Sequence, residues 1–308
     1  MSETIPYIIA ENGYYYVAYK EKVKVPEIVV SSKGVANGLS EEYNDGWDFG
    51  PDSYSPTSTS AIPYTETAGV QEFFDYLINN QSVNTVGRIL NGVYDFTNAP
   101  FQSYTNNAGE SEAKIIVGSG VPLGKLGQNI TIYAGNSALW GSEVVGSPSP
   151  TTGVIFRDTT SASGTGQQFI LGIKGSDSSL AYASAIVINI VGGISGLVAQ
   201  TDGIGGFDFK SCSVLDADWI QVATVGEWAA PEPSNTYQVG INLCGEYDAY
   251  SRIGSLLLAN GLYNGVNIGH HPVIDNLMVW GVDVFHVGFL DPALTCHCDE
   301  HCNVEASP

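Results

Sequence analysis

The sequence predicts an all-β protein whose body is a parallel β-helix, preceded by a β-rich arm and a short capping helix. Three observations carry that expectation. Beyond residue 110, short apolar stretches recur between Gly, Ser, Asn or Asp residues, among them AKIIVGSG, NITIYAGN, QFILGIKG, AIVINIVGG and GSLLLANG. No helix-period segment of comparable length interrupts them, so they read as short strands. Apolar pairs eight positions apart also recur, at Ile190 and Val198, Val214 and Val222, Leu258 and Val266, and Val279 and Val287. Their first members lie 24, 44 and 21 residues apart, and 44 is twice 22. That spacing predicts a coil of about 22 residues with two short strands, and a variant coil near residue 236. One such coil cannot bury its inward face alone, whereas stacked coils bury a continuous core. A β-sandwich would require regular two-sided hairpins, and few turns of that kind follow residue 100.

Residues 1–34 form the arm. Asn12-Gly13 separates two apolar runs and signals a hairpin, with Tyr7, Ile8 and Ile9 before it and Tyr14, Tyr15, Tyr16 and Val17 after it. These seven residues are the candidate assembly surface. VKVPEIVV follows, where Pro26 suits an edge strand or an arm. Residues 35–66 are rich in Gly, Ser, Pro and Asp and read as an extended linker. Residues 67–290 are the β-helix with its cap. Val70, Phe73, Phe74 and Leu77 fall at i, i+3, i+4 and i+7, one face of a helix over 68–79 that Thr67 or Thr65 can cap. VGRILNGVYDF then reads as strand, tight Asn91-Gly92 turn and strand. Residues 291–308 are a Cys/His-rich tail.

The stretch AGVQEFFDYLINN…VGRILNGVYDF resembles the start of the pectin-lyase-like right-handed parallel β-helices. The matching positions are Val70, Phe73, Phe74 and Leu77 on the helix, then Gly87, Gly92, Val93 and Tyr94. The resemblance covers residues 67 to about 290. It implies a single-stranded, right-handed coil with a helix laid across its open apolar end, which keeps that edge from water. The superfamily holds pectinolytic enzymes, tailspikes and adhesins alike, so the resemblance implies a fold and not an activity.

Composition narrows the function. The net charge is −21, and from residue 211 onward Arg252 is the only Lys or Arg. Nucleic-acid binding needs Lys and Arg on phosphates, so that class is excluded, and anionic polysaccharides would need bridging metal ions. No apolar run is long enough to insert as a membrane helix. The Thr-, Tyr- and Gly-rich composition points to an extracellular or virion-surface setting, although MSETIPYIIAENGYYYVAYK carries no signal-peptide pattern.

Glycoside hydrolysis needs two carboxylates flanking the bond. Asp216 and Asp218 share one side of a regular strand, but positions one predicted coil away are Ile194 and Gln238. Glu246 and Asp248, near Arg252 and several tyrosines, are the better catalytic pair. Pectin hydrolases of the resembling superfamily show adjacent aspartates, Gly-His-Gly and Arg-x-Lys. Here GHHP at 269–272 and SRIGS at 251–255 depart from that pattern, so His270 and His271 read as turn residues. A lyase would need a basic group that the last third of the chain lacks. Trp140, Trp219, Trp228 and Trp280 suit sugar stacking or packing. At the end, Cys296, His297, Cys298, His301 and Cys302 place five soft ligands within seven residues. They can hold zinc tetrahedrally, form disulfides, or do neither. No other cofactor is expected. Cys212 and Cys244 read as core residues.

The expected function is therefore that of a structural subunit, not an enzyme. It would belong to an extracellular filament or a virion appendage of tail-fibre type. Identical copies would join through the N-terminal arm and C-terminal tail, with cell-surface glycan as a further partner. The alternative is a glycan-active hydrolase using Glu246 and Asp248, or a carbohydrate-binding adhesin.

Overall fold

The computed structural model describes residues 4–11, 14–21, 27–31, 49–50, 67–79, 86–106, 109–118, 128–134, 153–162, 167–174, 186–199, 203–209, 212–225, 238–243, 251–259, 262, 264–268 and 273–280. These form a mostly β structure with one helix. Strands β1 (Thr4–Glu11) and β2 (Tyr14–Glu21) make a two-stranded antiparallel sheet around Asn12-Gly13, in the register Glu11↔Tyr14 through Thr4↔Glu21. The hairpin signal in the sequence is met. The side chains of Tyr7, Ile8, Ile9, Tyr14, Tyr15, Tyr16 and Val17 lie outside what is described.

The body has two sheets. One contains, from end to end, β17 (Val273–Trp280), β15 (Arg252–Ala259), β13 (Cys212–Val225), β11 (Ile186–Ala199), β8 (Gln128–Tyr133), β4 (Val86–Ile89) and β3 (Glu27–Val30). Beside that path, β5 (Gly92–Asp95) pairs β9 (Val154–Asp158), which pairs the second half of β11. The other sheet runs β16 (Asn264–Ile268), β14 (Val239–Leu243), β12 (Gly205–Asp208), β10 (Gln168–Ile173), β7 (Gly109–Val117) and β6 (Gln102–Asn106). From β7 onward, every pairing between one named strand and a later one is parallel, and from β9 onward the chain alternates between the two sheets as it advances. Parallel neighbours require such crossings, because a tight turn can only reverse the chain. The hairpin of β6 with β7 is antiparallel.

The core lies between the sheets. Ile115, Val117, Leu171, Phe207 and Ile241 of one sheet face the same apolar cluster as Ile130, Ile188, Ile190, Ile220, Leu256 and Leu258 of the other. A second cluster, Ile155, Leu197, Ala223 and Ala259, alternates with the core positions of its strands and is also buried. The outer side of the larger sheet is thus partly apolar and covered, which the eight-residue pairs did not reveal.

Several sequence expectations need correction. Ile190 and Leu258 are buried as expected, but Val214 is only half-buried while its neighbour Leu215 is fully buried. Ile190 pairs with Ala217 and Val214 with Val187, so counting 24 residues on from Ile190 stops three residues short of its partner; the register between β11 and β13 also shifts between Ile186 and Val187 and between Ile190 and Gly193. Gly192 sits there at φ 90°, a backbone that L side chains rarely adopt. No variant coil stands between Val222 and Leu258, since these two pair directly. The strand between them in sequence, β14, belongs to the other sheet. Val279 is 39 % exposed despite pairing with buried Leu258. Asn91-Gly92 does not reverse the chain: β4 pairs β8 and β5 pairs β9, so the segment bends and continues. Finally, Glu27–Val30, grouped with the arm by sequence, is the terminal strand of the large sheet, and Phe49 from the linker region is buried in the core.

The helix α1 (Val70–Asn79) forms where the apolar stripe predicts it, and Val70, Phe73, Phe74 and Leu77 are all buried. Val70 N–H bonds Thr67 O at 2.9 Å, and the Thr67 hydroxyl donates to Glu72 at 3.2 Å. Gly69, at φ 76°, lies so close to the Gly50 backbone that a Cβ would sit 2.5 Å from its nitrogen. The helix packs on β3, β4, β8 and β7, at one end of both sheets. Beneath Phe74 is a void of about 20 Å³ walled by apolar side chains such as Ile89, Val117, Ile132 and Phe156, too apolar to hold water.

Candidate functional site

Two kinds of site were in question, a catalytic pair of carboxylates and an assembly surface. Asp216 and Asp218 are exposed on the same side of β13, as alternation along a strand requires. Asp216 pairs in register with Asn189 on one neighbour and Arg252 on the other. Arg252 Nη1 is 3.6 Å from Asp216, and its Nε and Nη2 reach Asp275 Oδ2 at 2.9 and 2.5 Å. The hydrogen bond and charge of Asp275, reinforced by Asp216, hold the guanidinium even more firmly protonated than usual. The Arg252 guanidinium therefore lies between the carboxylates of Asp216 and Asp275. Asp218 is used differently: its Oδ2 accepts the Gly192 N–H at 3.0 Å and fixes the bulge. These aspartates act as outer braces of the sheet. Glu246, Asp248, His270, His271 and Cys244 lie outside the described residues, as does the tail with Cys296, His297, Cys298, His301 and Cys302. Cys212 begins β13, and its side chain is not described. Among the described residues, no three His, Cys, Asp or Glu side chains gather as for a metal ion, and no helix is long and apolar enough to cross a membrane.

A second exposed brace joins Asp95 and Arg157, which pair across β5 and β9; Arg157 Nε donates to Asp95 Oδ2 at 3.1 Å. Asp95 also accepts the Thr97 hydroxyl at 2.6 Å. Although partial burial opposes it, these bonds and the Arg157 charge together hold its carboxyl below the ordinary range. Buried polar groups carry structure too. Lys114 Nζ donates to Ala99 O at 2.5 Å, lies 3.5 Å from Asp158 and sits 4.1 Å over the Phe101 ring. Tyr104 reaches across Gly172 to bond Asp208 at 2.5 Å, and Asn242 donates to the same carboxylate. Trp219 packs over Gly193, and neither its Nε1 nor the Gln221 amide finds a partner among the described residues. Trp280 ends β17, and Trp140 and Trp228 lie outside the described residues.

The assembly surface has more definition at the two ends of the large sheet. At the β3 end, Ser31 N–H bonds Phe49 O and Phe49 N–H bonds Val29 O, both at 3.0 Å, so the linker region pairs with the last strand. Beside it, the buried Gln71 of α1 accepts the Ile116 N–H at 2.8 Å and donates to the Ile116 carbonyl at 2.9 Å. One side-chain amide thereby takes the place of a neighbouring strand beyond the reach of β6. Gln71 was missed because sequence analysis weighed only the apolar stripe. The signal available was a polar residue three positions before Phe74, on the buried side. At the β17 end, Val273, Leu277 and Val279 are 53, 41 and 39 % exposed. With Val191 these are the exposed large apolar residues among those described. β17 pairs β15 and, among the described residues, no strand on its other side. Comparison of the chain with family models, with curated proteins and with solved structures finds no match in any of the three.

Proposed function

We propose that the protein is a structural subunit of an extracellular filament or virion appendage, without enzymatic activity, that joins copies of itself through its N-terminal arm. Its body would be a right-handed parallel β-helix of the pectin-lyase-like type. Strands that alternate between two sheets while advancing in one direction support that coil. The observation that carries the function is the unequal state of the two ends: one end is closed, the other presents an apolar strand, and the hairpin β1–β2 pairs with neither sheet. A two-stranded hairpin alone is marginally stable in water, so a partner for it is favoured. A rigid body with a donor arm and a receptive end strings identical copies head to tail. The salt-bridged Asp216–Arg252–Asp275 row supports a non-catalytic surface. The tail around Cys296–Cys302 would then lock the joint by disulfide or metal.

Electron microscopy of the full chain and of a chain lacking residues 1–26, which leaves β3 in the large sheet, tests this. Filaments from the full chain and none from the truncated one are expected. Assembly of the truncated chain would remove the arm as connector, and a full chain that stays monomeric at high concentration would end the structural reading. Reducing-sugar release from a neutral glycan, lost in Glu246→Gln, would instead establish the hydrolase.

A further inference from the structure

We propose that Lys114 and Asp158 join through an amide bond between their side chains, a covalent staple that forms within the folded chain without another enzyme. The staple does not depend on how copies assemble.

The two groups are placed for it. Lys114 stands on β7 and Asp158 ends β9, so they come from different sheets. Their Nζ and Oδ2 lie 3.5 Å apart, and the side chains are 2 % and 0 % exposed. The other described ion pairs, of Arg157 and Arg252, reach water. A guanidinium also stays charged, whereas an amine can lose its proton and become a nucleophile. Both partners are held from several sides. The Lys114 carbonyl accepts a bond from Gln102 Nε2 at 3.5 Å, and its Nζ donates to Ala99 O at 2.5 Å beside the Phe101 ring. Asp158 Oδ1 accepts the Thr160 N–H at 2.7 Å, and the Thr160 hydroxyl is tied to Thr97 O at 2.9 Å. Asp158 Oδ2, the oxygen nearest the amine, has no hydrogen bond among the described residues.

In bulk water an ammonium and a carboxylate do not condense, because water solvates both charges. Here that solvation is gone, and a buried ion pair is costly unless its remaining lone pairs are bonded. Moving one proton from Nζ to Oδ2 removes both charges and leaves an amine beside a carboxylic acid. The amine lone pair then attacks Asp158 Cγ, and the carbonyl electron pair moves onto Oδ1. The Thr160 N–H is already aimed at that oxygen and stabilises the charge it gathers. A second proton passes from Nζ to the Oδ2 hydroxyl, the Cγ–Oδ2 bond breaks, and water leaves. One C–N bond has replaced one C–O bond, and nothing is oxidised or reduced. The amide keeps one N–H, for which the Ala99 carbonyl is in place. Fixed contact supplies the rate, since well-oriented groups react as though at about 10⁵–10⁸ M. The product closes residues 114–158 into a covalent loop and ties one sheet to the other, constraining the unfolded chain as a disulfide does.

Mass spectrometry tests this on the full chain, folded by circular dichroism, left at neutral pH, then reduced and denatured. The unaltered chain should be lighter than its sequence requires by one water. Its digest should contain a branched peptide joining Lys114 to Asp158, with no tryptic cleavage after Lys114. Lys114→Arg keeps the positive charge but cannot form the amide, so it should have the full mass of its sequence. The link should survive hydroxylamine, which opens the succinimide that an Asp-Gly pair such as Asp45-Gly46 can form with the same mass loss. A folded, unaltered chain at full mass, a loss abolished by hydroxylamine, or a loss retained in Lys114→Arg would each overturn the staple while leaving the assembly reading standing.

Discussion

Strands β3 and β17 are the two ends of one sheet, and they are finished in opposite ways. In β3, Val29 and Val30 are completely buried: Phe49 pairs with the strand, and Tyr94 donates to Val30 O at 3.1 Å. In β17, Leu277 and Val279 stand partly in water although they repeat the rows of the buried Leu256 and Leu258. Residue type does not separate the two ends, since both are rich in Val, Ile and Leu. What separates them is local chain devoted to closure: a linker segment, a helix with four apolar residues on one stripe, and a glutamine that imitates a strand. An edge is a liability to be managed, and here one is managed while the other has no neighbouring strand among the described residues.

Substitutions at the two ends should sharpen that contrast. Phe74→Ala, at the closed end, should cost about 3–5 kcal/mol in urea unfolding, because it enlarges an existing void; a loss under about 0.5 kcal/mol would mean the stripe does not close the core. Gln71→Ala should cost about 1–3 kcal/mol by stranding the Ile116 N–H and C=O, with faster amide exchange at Ile116 as the local readout.

The third test uses pH. Burial pushes the Glu72 carboxyl from its ordinary 4.5 up to about 7, with Asp75 adding to the rise, against bonds from its own backbone and from Thr67 that pull it down. A carboxyl with a raised folded pKa favours folding fully below about 4.5, and that contribution is lost as pH climbs through about 7. The first-turn position opposes part of this, since a helix N-terminus favours the anion. Stability should therefore fall by about 1–2 kcal/mol between pH 4.5 and 8 on account of Glu72, and Glu72→Gln should flatten that slope. Leu277→Ala, at the open end, should change monomer stability by only about 0.5 kcal/mol. A loss comparable to that of Phe74→Ala would erase the difference between the ends.

The sequence made some of this legible and hid the rest for identifiable reasons. The helix stripe and Asn12-Gly13 are local patterns, and local patterns survive without knowledge of packing. Parallel pairing was legible as a scarcity of tight turns. The positions that stack were not, because Ile190 pairs with Ala217 and Leu215 with Ile188, offsets of 27 residues that no constant count of about 22 reaches. The direct pairing of Val222 with Leu258 was hidden by a long excursion through the second sheet. Gln71, Lys114 and Asp208 owe their roles to distant partners at Ile116, Asp158 and Tyr104, which no short window contains. The carboxylates at 216 and 218 were identified on their shared outer side, but Arg252 and Asp275, which define their chemistry, come from the two following strands.

Strand order along the large sheet follows chain order, from β3 to β17, and this has a consequence in time. Chains leave the ribosome N-terminus first. The strands on which the helix packs, β3, β4, β7 and β8, have all emerged once residue 133 has, so that end is laid down before the later strands of both sheets. Each later strand of the large sheet pairs with one already made, so the sheet can grow in the order of the chain. Fraying should run the other way, from the last strand inward, with β17 exchanging its amide protons soonest and β3 latest. Among the described residues, the strand laid down last is thus also the one that carries three of the four exposed large apolar side chains.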